Sequence, residues 1–426
     1  MIRENQGGDG GGMYCLSSNP TLIGCTIAEN WRPNNTGGGL YSASSSPALI
    51  DCAIIANRAG PAGGGVYLSG GSPTFTRCRI GGNMAGGTGG GAVLSGGNPR
   101  LIDCTIESNI ALGNVGGLSC SYTDATVIGC SISGNSARFN AGGVQTDGGS
   151  ASFMNCTISG NSASYYNAGG LWCSSADATL TNCTIAGNSA GESGGGICVA
   201  WSGPTLTNCV IVGNGAYYGA GVYCYVDYAP TLTNCTFFGN TATFSGGGLR
   251  CEGPGTAPLT NCVLWGDTQN EIFDPTASTA VTYCDVQGGW AGSGNIDADP
   301  LFVDPGSGNF RLSAGSPCVD AGDPGFSPPP GAIDLDGRRR IWDGDGDGTA
   351  VVDMGAYEFG SYRYGDLNCD GTLDFDDINA FLLALTNPVA YVLAYPQCDY
   401  YLGDCNGDGQ VDFDDINAFV ALLSGQ

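Results

Sequence analysis

Between about residue 13 and residue 265 the apolar residues fall in clusters of two to four, separated by Gly, Ser, Thr, Asn and Asp. Within a cluster they alternate with small polar residues, as in Leu171-Trp172-Cys173, Ala178-Thr179-Leu180-Thr181 and Cys183-Thr184-Ile185. Alternation over so few residues predicts short β-strands, three to a unit, and leaves no room for a helix. The unit repeats. A Cys stands at Cys25, Cys52, Cys78, Cys104, Cys130, Cys156, Cys183, Cys209, Cys235 and Cys262, always 26 or 27 residues apart. Nine of these open the pattern C-x-[I/V/F]-x-x-N, which sets a column at Asn30, Asn57, Asn83, Asn109, Asn135, Asn161, Asn188, Asn214 and Asn240, with Asp267 in the tenth place.

The residue before each Cys is Gly, Asn or Asp (Gly24, Asp51, Asp103, Asn155 and their equivalents), Arg77 excepted. Those residue types tolerate positive φ, so a corner is expected there. Three strands and three corners in 26 residues describe one coil of an all-β, right-handed parallel β-helix. About ten coils stacked at about 4.8 Å make a rod about 50 Å long. The Cys column reads as small apolar core and the Asn column as amides bonding corner backbone. Stacked Cys lie too far apart for a zipper of disulfides. A second, partial column (Cys15, Cys120, Cys173, Cys224, Cys251) leaves cross-core pairs such as Cys120 with Cys130 open.

These repeats resemble the right-handed parallel β-helix proteins of bacterial surfaces, including chlamydial polymorphic outer membrane proteins, which pair a GG[AI] element with an FxxN element. The resemblance covers residues 1–270 and implies a fold that serves adhesins as well as polysaccharide lyases and hydrolases. Ile2-Arg3-Glu4-Asn5 fits I-x-x-N, so the chain is expected to start inside a coil, without an N-terminal cap, as a fragment or processed form, or with its open end covered by another subunit.

Residues 271–364 break the period. Asn295-Ile-Asp-Ala-Asp299-Pro-Leu-Phe302, Ser316-Pro-Cys-Val-Asp320 and Met354-Gly-Ala-Tyr357-Glu358-Phe359 resemble the choice-of-anchor Q module of secreted bacterial proteins, which implies a cap on the last coil. Inside it Asp343, Asp345 and Asp347 alternate before Gly348, as in a calcium loop, but Val351 and Met354 occupy the ninth and twelfth positions, which leaves a solvated acidic turn as the other reading.

Residues 365–426 hold two complete loops. Asp366, Asn368, Asp370, Thr372, Asp374 and Asp377, then Asp404, Asn406, Asp408, Gln410, Asp412 and Asp415, occupy positions 1, 3, 5, 7, 9 and 12, with Gly371 and Gly409 at 6. Calcium takes six to eight oxygens, and this spacing supplies them around a glycine turn. One helix is expected after each loop, from the stripes Phe375, Ile378, Phe381, Leu382, Leu385 and Phe413, Ile416, Phe419, Leu423. Loop then helix, twice, resembles a dockerin module and implies Ca²⁺ as the cofactor and docking to a scaffold protein. The contact positions 10 and 11 are here Phe375-Asp376 and Phe413-Asp414, and the two Phe are read as core. Cys369 and Cys398 are candidates for a disulfide that would leave Cys405 over.

Composition narrows the function. All 13 basic residues are Arg, His is absent, and the net charge is −26. Nucleic acid is excluded as a partner for want of a basic surface, and His-based catalysis for want of His. No apolar run reaches membrane-span length, and no leader segment is evident. After residue 294 stand 23 acids against five Arg, a net −18, so ordering of the tail is expected to depend on calcium.

The outward column of the first strand reads Tyr14, Tyr41, Tyr67, Val93, Ser119, Gln145, Trp172, Cys198, Tyr223, Arg250. With loop aromatics it offers Tyr165, Tyr166, Trp172, Tyr217, Tyr218 and Tyr223 as sugar-stacking candidates, against packing over loops or against a neighbouring rod. No catalytic residue is assigned, because Asp124 and Asp177 (with Asp147 between and Asp227 beyond) sit in turn-capping contexts rather than as a converging pair. The expected function is an extracellular or cell-surface, calcium-stabilised structural or adhesion protein. Its expected partners are itself, end to end or laterally, a surface or scaffold protein, or a polysaccharide. The alternative is a polysaccharide-binding or polysaccharide-cleaving β-helix carried by its tail. Converging acids and Arg on the Tyr223 face would favour the enzyme, and loop-covered faces the structural protein.

Overall fold

The computed structural model describes residues 1–5, 10–225, 229–253, 255, 257–276, 278–329, 331–396 and 398–424. The repeats wind into a right-handed parallel β-helix of eleven coils. Sheet 1 runs from Met13–Leu16 to Ile272–Phe273, sheet 2 from Thr21–Ile23 to Ala280–Thr282, and sheet 3 from Ile2–Arg3 through Thr26–Ala28 to Asp285–Val286. A fourth sheet, from Trp31–Arg32 to Thr241–Ser245, was not expected. Most of its strands are two residues long and bury only an Ala each, such as Ala85 and Ala111, so they leave no hydrophobic pattern to read.

Register is kept from coil to coil. Ile80 pairs with Ile54 and Ile106, and Phe75 with Leu49 and Leu101, so like side chains stack along the lumen. Each buried Ile, Leu or Phe stabilises the fold by about 1.5–3 kcal/mol. The corner before each Cys takes positive φ, +60° at Gly24, +53° at Asn155 and +49° even at Arg77. At the entry to sheet 1 the chain passes so close to the next coil that a Cβ on Gly91 would meet Gly117 O at 2.6 Å and Asn109 Nδ2 at 2.9 Å, which explains the Gly-Gly pairs.

The Asn column is a continuous ladder. Asn135 Oδ1 accepts the backbone N–H of Asn109 at 3.0 Å and its Nδ2 at 2.9 Å, while Asn135 Nδ2 donates to Ile106 O at 2.9 Å. Asp267 ends it, accepting Asn240 N at 2.6 Å. The Cys column is free thiols, and Cys120 and Cys130 are unpaired with each other. Strands aligned with the columns continue past residue 270, because the last coil is shortened rather than lost: Cys284 follows Cys262 by 22 residues and accepts its N–H at 3.2 Å.

Trp290 packs on the end of the lumen, and Asn295 Oδ1 accepts Cys284 N at 3.0 Å. The remainder of the connecting region lies along the flank rather than the tip. Phe310 and Ala356 pack on Val210, Ala356 N donates to Thr236 Oγ1 at 3.0 Å, and Asn208 Nδ2 donates to Ile333 O at 2.7 Å. Arg340, 1% exposed, is held by Glu358 at 3.7 Å and by Asp353 O at 3.1 Å. The tail forms helices α1 (Asp377–Thr386), α2 (Pro388–Ala394) and α3 (Ile416–Leu423). It is tied to the connecting region by an Arg339–Asp399 ion pair.

Candidate functional site

The two tail loops fold alike, as their matched sequences require. In the first, Asp366 Oδ2 accepts Gly371 N at 3.1 Å, Asn368 Oδ1 accepts Asp370 N at 2.8 Å, and Asp370 Oδ1 accepts Thr372 N at 2.9 Å. Asp377 closes the loop, accepting Asn368 N and Asp374 N, one on each oxygen, at 3.1 and 3.0 Å. In the second, Asp404 accepts Gly409 N at 2.9 Å, Asn406 accepts Asp408 N at 2.8 Å, Asp408 accepts Gln410 N at 2.9 Å, and Asp415 accepts Asn406 N and Asp412 N, both at 2.9 Å. The side chains thus spend most of their lone pairs on backbone amides and on one another within the loop.

Asp366, Asp377, Asp404 and Asp415 are all buried. Asp366 Oδ1 has no hydrogen-bond partner among the described residues. Burial, then the neighbouring Asp377 and Asp370, push the Asp366 carboxyl up to about 6. Burial likewise raises Asp377 and Asp415. Buried, mutually repelling carboxylates of this kind fit a hard divalent cation, whose charge offsets the repulsion and occupies the orphaned oxygen.

The third acidic loop is completed from elsewhere in the chain. Asp343 accepts Gly346 N and Gly348 N at 2.8 and 2.9 Å, and Asp347 accepts Thr349 N at 2.7 Å. Asp320, far upstream, lies beside them, so that Asp320, Asp343 and Asp345 each offer an oxygen within 4.8 Å of the others. Asp347 is outside that group. The Pro317-Cys-Val-Asp320 segment carries no spacing relation to the loop, so sequence reasoning had no signal for Asp320.

The tail core differs from expectation. Phe375 and Phe413 are 77% and 66% exposed, not core. Phe381 and Phe419 stack instead, centroids 4.0 Å apart, over Leu367, Ala380 and Tyr391. Tyr391 belongs to α2, which was missed although Asn387-Pro388 is a helix-start signal: Asn387 caps Ala390 N at 3.2 Å. Cys369 and Cys398 are disulfide-bonded, Cα atoms 5.8 Å apart, and Cys405 is free.

On the rod, the outward column of sheet 1 is in register throughout, but it is not one open platform. Tyr223 is 3% exposed, donating its hydroxyl to Glu252 Oε2 at 2.7 Å, and packs with Ala168, Cys198, Trp172 and Tyr218. Arg250, 8% exposed, donates to Glu252 at 2.8 Å and is sandwiched between the Tyr218 and Phe273 rings. One carboxylate and one Arg therefore meet at Tyr223, packed among side chains of neighbouring coils, and no second acid joins them among the described residues. The expectation of an accessible Tyr223 is corrected by that packing. Tyr165 and Tyr166 are exposed beside Phe139, with Arg138 over Phe139, and Tyr217 is exposed and stacked on Phe244. Asp124 and Asp177 accept Ser150 N and Gly203 N, both at 2.9 Å, which makes them inter-coil turn caps. Asp227 lies outside the described residues.

Among known proteins, the family described as right handed beta helix region matches residues 2–132 and 116–285. No curated protein matches the chain. Among solved structures, the crystal structure of pectate lyase Pel9A is similar at 16% identity and a TM-score of 0.46, covering 80% of this chain and 89% of that chain.

Proposed function

Since the chain belongs to the right-handed β-helix family, we propose that it is an extracellular, calcium-ordered structural or adhesion rod, held to a surface or scaffold protein by its tail. The observation that carries this reading is the buried, unpartnered Asp366 Oδ1 in a loop whose backbone already has the turn that calcium coordination needs. In each tail loop the acids at positions 1, 5, 9 and 12, the Asn at 3 and the carbonyl of Thr372 or Gln410 would hold the ion. Asp320, Asp343 and Asp345 would hold a third. The ions supply charge that lets clustered carboxylates pack, and the tail then orders. The dockerin resemblance of residues 365–426 supports docking, and so do Phe375 and Phe413, two large apolar side chains presented outward at equivalent loop positions.

The test is hydrogen exchange of the full chain in 5 mM Ca²⁺ and in excess chelator, with calorimetric titration of Ca²⁺. Expected are saturable binding and loss of protection over residues 365–424 on chelation, with the coils unchanged. Equal protection of the tail in both conditions, or no heat of binding, would sink the proposal.

A further inference from the structure

The aromatic column of sheet 1 stops partway along the rod, and a groove opens where it stops. Tyr14, Tyr41 and Tyr67 stack ring on ring, centroids 5.2 and 5.5 Å apart and planes within 7° of parallel. One face of Tyr67 is covered by Tyr41. The next two residues of the column are Val93 and Ser119, too short to continue the stack. Both are buried, forming a low floor: Val93 lies so close to the loop that a Cβ on Gly89 would meet its Cγ2 at 2.2 Å. The column rises again at Gln145. The result is a groove of about 380 Å³ between Tyr67 and Gln145, walled on one side by Thr88 and Asn114 of the loops entering sheet 1. It spans three coil-to-coil steps, about 14 Å.

The lining chemistry is specific. It presents hydroxyls (Thr88, Ser95, Ser119, Ser121), amides (Asn114, Gln145) and one aromatic face, with no charged side chain among the lining residues. Hydroxyl and amide groups both donate and accept, which suits a ligand rich in hydroxyls. A flat ring at one end suits the apolar face of a sugar, and the volume is that of a ligand site. The groove has no Arg to receive a carboxylate, and the chain carries −26 overall. Anionic sugars are therefore disfavoured. We infer that this groove, formed by residues 62–145, binds a short segment of an uncharged polysaccharide, with Tyr67 as the stacking platform. It is built by residues remote in sequence from the tail loops and does not rest on the calcium reading.

The experiment uses the full chain, titrated calorimetrically with cello-, xylo-, manno- and maltohexaose and with hexagalacturonate. Three variants accompany it: Tyr67→Ala, Gln145→Ala and Val93→Tyr. The last extends a stack the column already carries at three coils, so it blocks the groove while keeping the register. At least one neutral hexasaccharide should bind, at least tenfold more weakly to Tyr67→Ala and undetectably to Val93→Tyr, while hexagalacturonate should not bind. Absence of binding by every neutral glycan at millimolar concentration would overturn the inference. So would binding that Val93→Tyr leaves unchanged, or a preference for hexagalacturonate. Repeating the titration in chelator separates this outcome from failure of the tail.

Discussion

Asp320 Oδ2 accepts the backbone N–H of Asp345 at 2.8 Å, so an acid from one segment closes an acidic turn formed by another. If that closure makes a cation site, Asp320→Asn keeps an amide acceptor but removes one of three charges. Native mass spectrometry should then show two bound Ca²⁺ where the parent shows three. The third site should weaken at least tenfold, about 1.4 kcal/mol. Three ions retained by the variant would make Asp320 a turn cap alone.

The Asn ladder predicts a large local cost for a small change. Asn135→Ala leaves Asn109 N–H, Asn109 Nδ2 and Ile106 O without their partner inside the rod, where Asn135 is fully buried. Each buried orphan costs about 1–3 kcal/mol, so the loss should be about 3 kcal/mol or more. Hydrogen exchange should place it in the coils on either side of residue 135, since repeat stability is carried by nearest-neighbour contacts.

Asp267, at the end of that ladder, predicts a pH dependence. Burial and the adjacent Glu271 push its carboxyl well above the ordinary range, and burial raises Glu271 as well. A raised acid contributes stability that is complete below the unfolded-state pKa near 4 and is lost as pH rises through the folded-state value. Asp267→Asn continues the ladder with an amide that cannot ionise and can donate to Glu271 Oε2, which is now unpartnered. The variant should be more stable than the parent by about 1–3 kcal/mol at pH 8 and equal to it at pH 4, read from urea midpoints at both. A variant less stable at pH 8 would refute the reading that burial beside Glu271 makes the ionised Asp267 costly.

The tail offers a paired comparison. Phe375→Asp with Phe413→Asp should leave unfolding of the tail in 5 mM Ca²⁺ within about 0.5 kcal/mol of the parent, because both rings face solvent. Phe381→Ala removes half of a buried stack and should cost about 3 kcal/mol or more. Thermal unfolding followed by circular dichroism distinguishes the two. Comparable destabilisation by both would return Phe375 and Phe413 to the core.

Local chemistry and period determined a great deal from the chain alone. The 26-residue spacing of Cys and Asn set the coil and its register, because a parallel stack has to repeat its inward residues at one interval. Positive φ at Gly24, Asp103 and Asn155 followed from what those residues tolerate. The loop-then-helix units followed from spacing and apolar stripes. Other features waited on the tertiary structure, each for the same reason: they depend on which segments meet. Asp320 reaches Asp345 because the connecting region folds back on itself. Tyr223 is buried because neighbouring coils bring Trp172, Tyr218 and Arg250 around it. Phe375 faces solvent because Phe419, from the second loop's helix, takes the place opposite Phe381. The groove exists because two short residues follow three tyrosines exactly where a loop wall stands beside them, a height difference that a column of letters does not contain.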